Sequence, residues 1–268
     1  MPGESDTIHI RTLFISDVHL GTRGCQADAL LDFIRVYEAE TIYLVGDIID
    51  GWRLRATWHW PQSHNDVVQK ILRKVRKGTR LIYVPGNHDE FLRDYAGSTF
   101  GGIEIREEAI HETADGRRML ILHGDKFDTI VQNVRWLALL GDWAYDFAIW
   151  LNRVVARVRR SLGLPYWSFS AWSKQKVKSA VNFISAFEQA VVADARRNNV
   201  EIVLCGHIHR AAAQQMGDIF YMNTGDWVES NSAVVEHRDG RLELIHWTES
   251  SQAVLASPQN AVLLRPAA

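Results

Sequence analysis

Leu13-Phe14-Ile15-Ser16-Asp17-Val18-His19 is a short apolar run that ends in two side chains able to bind a metal. The pattern recurs. Ile42 to Val45 leads into Gly46-Asp47, Leu81 to Val84 into Gly86-Asn87-His88-Asp89, Met119 to Leu122 into His123-Gly124, and Ile202 to Cys205 into Gly206-His207-Ile208-His209. Helical spacing fills Ala27 to Tyr37 and Asn65 to Lys77, and Gly78 stops the second of these. Strand, helix, strand, helix, strand predicts an α/β fold with a parallel core. Polar groups at the carboxyl ends of such strands converge in space, so the five clusters predict a single site.

The chain has 268 residues, 47% hydrophobic and 23% charged, which is enough for one large globular domain with an insertion. A net charge of −2 argues against a protein that coats nucleic acid, and no nucleic-acid partner is expected. The two cysteines, Cys25 and Cys205, suggest no disulfide framework and fit a reducing, cytoplasmic compartment. Met1 to His9 lacks the basic start and apolar run of a secretory signal. No uncharged apolar stretch of about 18 residues is present, so no membrane-spanning helix is expected.

Beyond His123 the strand signal stops. Residues 129–197 show helical periodicity interrupted near Gly141 and around Gly163-Leu164-Pro165, whereas Glu201 to Trp247 returns to β patterns, with a hairpin at Asp239-Gly240 joining Ser232–His237 to Arg241–Trp247. The expected organisation is a core of residues 1–128 and 198–248, a helical insertion or cap at 129–197, and a tail at 249–268.

The candidate ligands are Asp17, His19, Asp47, Asn87, His123, His207 and His209, a mixed oxygen and nitrogen set too large for one tetrahedral zinc. It suits two divalent ions that share a bridging carboxylate such as Asp47 and act together on an in-line displacement at phosphorus. His207 and His209 lie two apart, so an extended chain would aim both at one centre. The loop with Trp52, Trp58, His59, Trp60 and His64 follows Asp47 and either touches substrate or packs as an aromatic cluster.

The series D-x-H, G-D, G-N-H-D, a later H and G-H-x-H resembles the calcineurin-like metallophosphoesterase family, with all five blocks present in order. The resemblance implies a layered α/β/β/α sandwich, with one metal on Asp17, His19, Asp47 and His209 and the other on Asp47, Asn87, His123 and His207. It also implies that His88 is the catalytic histidine and that Asp89 orients it. Manganese is the metal it points to, with iron or zinc as alternatives.

The insertion narrows the resemblance. From Phe147 to Phe187 there is no Asp or Glu, while Arg153, Arg157, Arg159, Arg160, Lys174, Lys176 and Lys178 are basic. The segment Asp142 to Arg160 reads as an amphipathic helix bearing Trp143 and Trp150. Such a cap either packs on the core with a solvated face, or accepts a lipid and rests on an anionic membrane. Together with Gly46-Asp47-Ile48-Ile49-Asp50 and His123-Gly124-Asp125, it is similar to the UDP-2,3-diacylglucosamine diphosphatase branch of lipid A synthesis. That branch releases UMP and 2,3-diacylglucosamine 1-phosphate at the cytoplasmic face of the inner membrane. Asn87, Asp128, Arg153, Arg157 and Lys178 are then the candidate substrate contacts. The best-known members of the branch carry Arg where this chain has His88. Two alternatives therefore stand beside this reading: a phosphodiesterase for a smaller nucleotide or phosphodiester, and a non-catalytic scaffold that binds a membrane or partner.

Overall fold

In the computed structural model, which describes residues 7–128 and 170–247, β1 (Ile8–Ile15) and β2 (Tyr37–Val45) pair in parallel from Ile8 beside Tyr37 to Ile15 beside Leu44. Both strands begin five residues before their uninterrupted apolar runs. Their first halves alternate polar with apolar residues, His9, Arg11, Glu38 and Glu40 among them, and that alternation is itself a strand pattern. The crossover between them is α1 (Ala27–Val36), which buries Leu30, Leu31, Phe33 and Ile34. A second crossover, α3 (Gln62–Arg76), begins at Pro61 and returns the chain to β3 (Arg80–Val84). Between β2 and α3 lies a six-residue helix, α2 (Gly51–Ala56), capped by the Asp50 side chain accepting from the Arg53 amide.

The first sheet has seven strands in the order β12-β11-β1-β2-β3-β5-β4, completed by β4 (Thr99–Phe100), β5 (Ile103–Ile105), β11 (Ser232–Glu236) and β12 (Leu242–His246). β11 and β12 form the expected hairpin. The second sheet has the order β6-β7-β8-β10-β9, from β6 (Ala109–Glu112), β7 (Arg118–Ile121), β8 (Ile202–Cys205), β9 (Ala212–Met216) and β10 (Ile219–Asn223). β1, β2 and β3 are mutually parallel in the first sheet, as are β7, β8 and β10 in the second.

Two cores separate the layers. Between the helices and the first sheet lie Leu13, Phe33, Ile42, Val67, Leu81 and Trp227. Between the two sheets lie Phe14, Tyr43, Val45, Met119, Ile121, Ile202, Leu204 and Met222, with Phe14 stacked on Tyr43 at 5.2 Å between ring centroids. Each such side chain contributes about 1.5–3 kcal/mol on burial, so the sheets are held face to face largely by apolar packing. The last helix, α4 (Ser170–Arg197), ends beside the β9–β10 hairpin, where Arg196 meets Asp218 Oδ1 at 2.7 Å. The chain separates into two compact units, Met1–Asp125 with Val192–Ala268, and Lys126–Val191. The expected helix Asp142–Arg160, with Arg153 and Arg157, and the tail at 249–268 lie outside the described residues. Among those described, no helix is long and apolar enough to cross a membrane.

Candidate metal centre

The five clusters follow β1, β2, β3, β7 and β8, and parallel pairing sets their loops side by side. The chains leaving β1 and β2 stay zipped past the strand ends: Asp17 N donates to Gly46 O at 3.0 Å, His19 N to Asp47 O at 2.9 Å, and Leu20 N to Ile48 O at 2.9 Å. The loop after β8 is tied to the one after β7 by Gly206 N donating to His123 O, and to Asp17 by His207 N donating to its Oδ2.

The backbone is strained at this place. Asp17, His19, Asp47, His207 and His209 all have φ between 49° and 73°, the left-handed region, and among the described residues only Asn199 and Asn231 otherwise do so without being glycine. The turns aim the side chains at one another instead of along the sheet faces. Extended geometry does not hold at Gly206 to His209, so His207 and His209 do not share a centre as their spacing suggested: His209 faces Asp17 and His19, whereas His207 faces Asp47 and His123. Gly206 is required on steric grounds, because a Cβ there would collide with the Asp17 carboxylate and with Ser16 Oγ.

The distances are those of converging donors. His19 Nε2 lies 3.2 Å from His209 Nε2, His209 Nε2 lies 3.2 Å from Asp17 Oδ1, and His123 Nε2 lies 3.3 Å from Asp47 Oδ2. Ligand atoms of Asp17, His19 and His209 fall within 4.8 Å of one another, as do those of Asp47, His123 and His207, and those of His19, Asp47 and His88. Asp47 thus stands between the groups. His123 Nδ1 lies 3.0 Å from Val45 O, an arrangement that leaves Nε2 facing the cluster. Asp17 Oδ1, Asn87 Oδ1 and His123 Nε2 are buried without a hydrogen-bond partner, although such atoms are costly to bury alone. A divalent cation satisfies them, and the donor set of carboxylates, imidazoles and one amide oxygen fits two such ions.

The electrostatics agree with that fit. Burial opposes ionisation of Asp17 and Asp47, yet His209 beside the first and His123 beside the second hold both carboxyls below the usual range. Burial would depress His123, but Asp47, Asp17 and Asp125 raise it to about 10. The cluster is one in which positive charge is strongly favoured at its centre.

Asp89 does not orient His88. Its carboxylate is fully buried under the loops, accepting from Ile48 N at 2.8 Å, Gly86 N at 2.6 Å and Tyr83 Oη at 2.5 Å, so its acceptor capacity is used by the backbone that shapes the site. The partner of His88 is Asp50, whose Oδ1 lies 3.1 Å from His88 Nδ1 while its Oδ2 lies 3.2 Å from His19 Nδ1. Burial opposes its ionisation too, but hydrogen bonds to His19 and His88 hold Asp50 below the usual carboxylate range. Asp50 stands three residues after Asp47 and caps α2, and this double position is the signal in the sequence that could have found it. Trp52 packs its ring 4.3 Å from that of His88. His64, in contrast, is structural: it is buried and its Nδ1 accepts from Gly21 N. Asp128 and Lys178 belong to the unit Lys126–Val191, the latter on α4.

Comparison with known proteins places this geometry. The profile of the family described as calcineurin-like phosphoesterase matches residues 10–211. Two similar relatives are the UDP-2,3-diacylglucosamine hydrolases of Xanthomonas campestris pv. campestris (strain B100), 29% identical with 85% of this chain and 96% of that protein covered, and of Vibrio atlanticus (strain LGP32), 24% identical with 84% and 93% covered. Among solved structures, the phosphoesterase Yfce from E. coli is 16% identical with a TM-score of 0.46, covering 89% of this chain and 93% of that one. The matched span runs from β1 past His209 and contains every cluster described above; the chain is a metal-dependent hydrolase of the calcineurin-like phosphoesterase family.

Proposed function

We propose that this protein is a diphosphatase that hydrolyses UDP-2,3-diacylglucosamine to UMP and 2,3-diacylglucosamine 1-phosphate. What supports the substrate is likeness along nearly the whole length of relatives named UDP-2,3-diacylglucosamine hydrolase. What supports the chemistry is the convergence of Asp17, His19, His123, His207 and His209 with Asp47, together with the buried, unpartnered Asn87 Oδ1.

In this reading Asp17, His19, Asp47 and His209 hold one ion and Asp47, Asn87, His123 and His207 the other, manganese being the proposed metal. When bound, two such ions supply Lewis-acid stabilisation of charge at phosphorus and a water of lowered pKa. The protein's part is placement. With Asp50 beside Nδ1, His88 bears a proton on Nε2 only as the imidazolium, a form that burial opposes but Asp50 and Asp47 favour; Nε2 then faces the cluster, placed to donate to a phosphoryl or leaving oxygen. Asp89 and Tyr83 hold the loop that carries Asn87 and His88, so the donors are oriented before substrate arrives.

The insertion at 129–197 is the proposed cap. Arg153, Arg157 and Lys178, with Asp128, would contact the head group, and the basic, tryptophan-bearing helix would meet the cytoplasmic face of the inner membrane. Replacing Arg153, Arg157 and Lys178 by Ala together is expected to raise KM for the lipid about tenfold or more and leave metal content unchanged. An unchanged KM would remove the cap from the substrate site.

His88, where the best-known branch members carry Arg, favours a second reading with a smaller phosphodiester as substrate. The deciding experiment incubates the Mn-loaded protein with UDP-2,3-diacylglucosamine and, in parallel, with an aryl phosphodiester, and identifies products by mass spectrometry. Release of UMP at a far higher kcat/KM than aryl ester cleavage is the expected result. Turnover of the aryl ester alone would retain the hydrolase and reject the glycolipid.

A further inference from the structure

Trp58 is 75% exposed and Trp52 46% exposed, and they lie six residues apart in Gly51-Trp52-Arg53-Leu54-Arg55-Ala56-Thr57-Trp58-His59-Trp60. Isolated exposed apolar residues are ordinary, but two large indoles on one short segment are not. The segment is firmly footed. Leu54 packs on Gly21 so closely that a Cβ there would come within 2.7 Å of it, Trp60 packs against the core beneath the first sheet, and the buried His64 ring accepts from Gly21 N. With these three holding the base, α2 and the following loop present Trp52, Arg53, Arg55 and Trp58 to the outside.

The charge of this face is predominantly positive. No Asp or Glu occurs from Gly51 to Asn65, while Arg53 and Arg55 are both exposed and Arg23 is exposed on the loop that Leu54 packs against. Two acids adjoin the segment: the buried Asp50, which caps α2 at Arg53 N, and the exposed Glu90, whose Oε1 stands 3.4 Å from Trp52 Nε1. Exposed indoles interleaved with arginines that outnumber the one exposed carboxylate beside them match the interfacial zone of an anionic bilayer, where the ring sits at head-group depth and the guanidinium meets phosphate. The face is also continuous with the site, since the Trp52 ring packs against His88.

We propose that the Gly51–Trp60 segment is a membrane-docking surface that seats the opening of the metal centre on an anionic bilayer. The purpose of this docking rests on the glycolipid reading, but the surface itself does not. A lipid-linked diphosphate would then reach His88 from the interface without leaving it entirely.

The test is co-sedimentation of the full-length, metal-loaded protein with phosphatidylcholine vesicles containing or lacking phosphatidylglycerol, comparing wild type with Trp58→Ser/Arg55→Ser and with the conservative Trp58→Phe/Arg55→Lys. Both side chains are exposed, so the fold and aryl phosphodiester turnover should be unchanged in each. The expected result is binding that requires phosphatidylglycerol and falls about tenfold or more in the Ser/Ser variant, with most of it restored in the Phe/Lys variant. Equal sedimentation of wild type and Ser/Ser variant would overturn the proposal and point to another segment of this chain or a protein as the cover of Trp58. Binding that ignores phosphatidylglycerol would overturn it as well. If the glycolipid is not hydrolysed but vesicle binding still depends on Trp58 and Arg55, the substrate reading fails and the docking surface stands. If the glycolipid is hydrolysed in detergent micelles but vesicle binding does not depend on those two residues, the docking surface fails and the substrate reading stands.

Discussion

At the scale of single residues, two buried aspartates close to the same histidine do different work, and the difference is measurable. Asp50 touches the His19 and His88 rings, whereas Asp89 touches three backbone amides and the Tyr83 hydroxyl. Asp50→Asn is therefore expected to lower kcat about tenfold or more with little change in melting temperature. Asp89→Ala, which strands those buried donors, is expected to cost about 3 kcal/mol of stability or more. Thermal denaturation alongside kinetics separates them, and a kcat loss without destabilisation in Asp89→Ala would reverse the assignment. A second pair tests the centre itself: Asp47→Ala should empty both metal positions, measured by elemental analysis of the purified protein, while His88→Ala should keep its metal and lose about 10² in kcat. That the candidate ligands Asp17, His19, Asp47, His123, His207 and His209 come together was legible in the sequence because Asp and His after parallel strands meet at the strand ends. The orienting carboxylate was not, because the choice between Asp50 and Asp89 depends on which way each carboxylate turns below the loop, and neighbours in sequence are a poor guide to that.

Among the elements, β11 and β6 belong to different sheets, and one buried acid joins them. Glu236 of β11 is fully buried and accepts from Thr12 Oγ1 at 2.6 Å, Arg11 Nη1 at 2.5 Å and Ala114 N at 2.8 Å, while His111 Nε2 of β6 lies 2.8 Å away. Burial pushes its pKa up, but these partners, His111 foremost, bring it down to about 2 from the usual 4.5. A depressed folded pKa gives stability that is complete above about pH 4.5 and disappears as the pH falls towards 2, on the order of 3 kcal/mol in all. Wild type is thus expected to exceed Glu236→Gln in unfolding free energy at pH 6, to keep less than half of that advantage at about pH 3 and to lose nearly all of it by about pH 2, measured by urea denaturation across the range. A constant gap would mean that the carboxylate charge is not what joins the sheets. The hairpin of β11 with β12 was readable from Asp239-Gly240 and its flanking alternation. The short strands β4, β5 and β9 were not, because two to five residues with mixed burial carry too little periodicity to stand out from loop.

Across the whole molecule, Asp17 and His209 are nearly the full length of the core apart in sequence yet lie in contact, so the centre closes the fold on itself. Two parallel strand sets, one in each sheet, bring loops from both to that point, and the α/β order was legible because each strand was followed by a helix or a ligand cluster. What periodicity could not supply was the division into two facing sheets, which follows from long-range pairings such as β1 with β11 and β7 with β8. This closure has a thermodynamic consequence. Ions held by residues from both sheets, as proposed, would bind the folded chain and not the unfolded one, and would add RT ln(1 + [M]/Kd) to stability, about 2.7 kcal/mol at a hundredfold excess over Kd. Chelation is expected to lower the melting temperature by about 5–10 °C for a chain of this size, and titration with Mn should restore it logarithmically with metal concentration. In Asp47→Ala the same titration should leave the melting temperature nearly flat. A melting temperature that ignores metal in the wild-type protein would show that the loops hold their strained geometry without the ions, and the left-handed ligand residues would then have to be stabilised by their backbone hydrogen bonds alone.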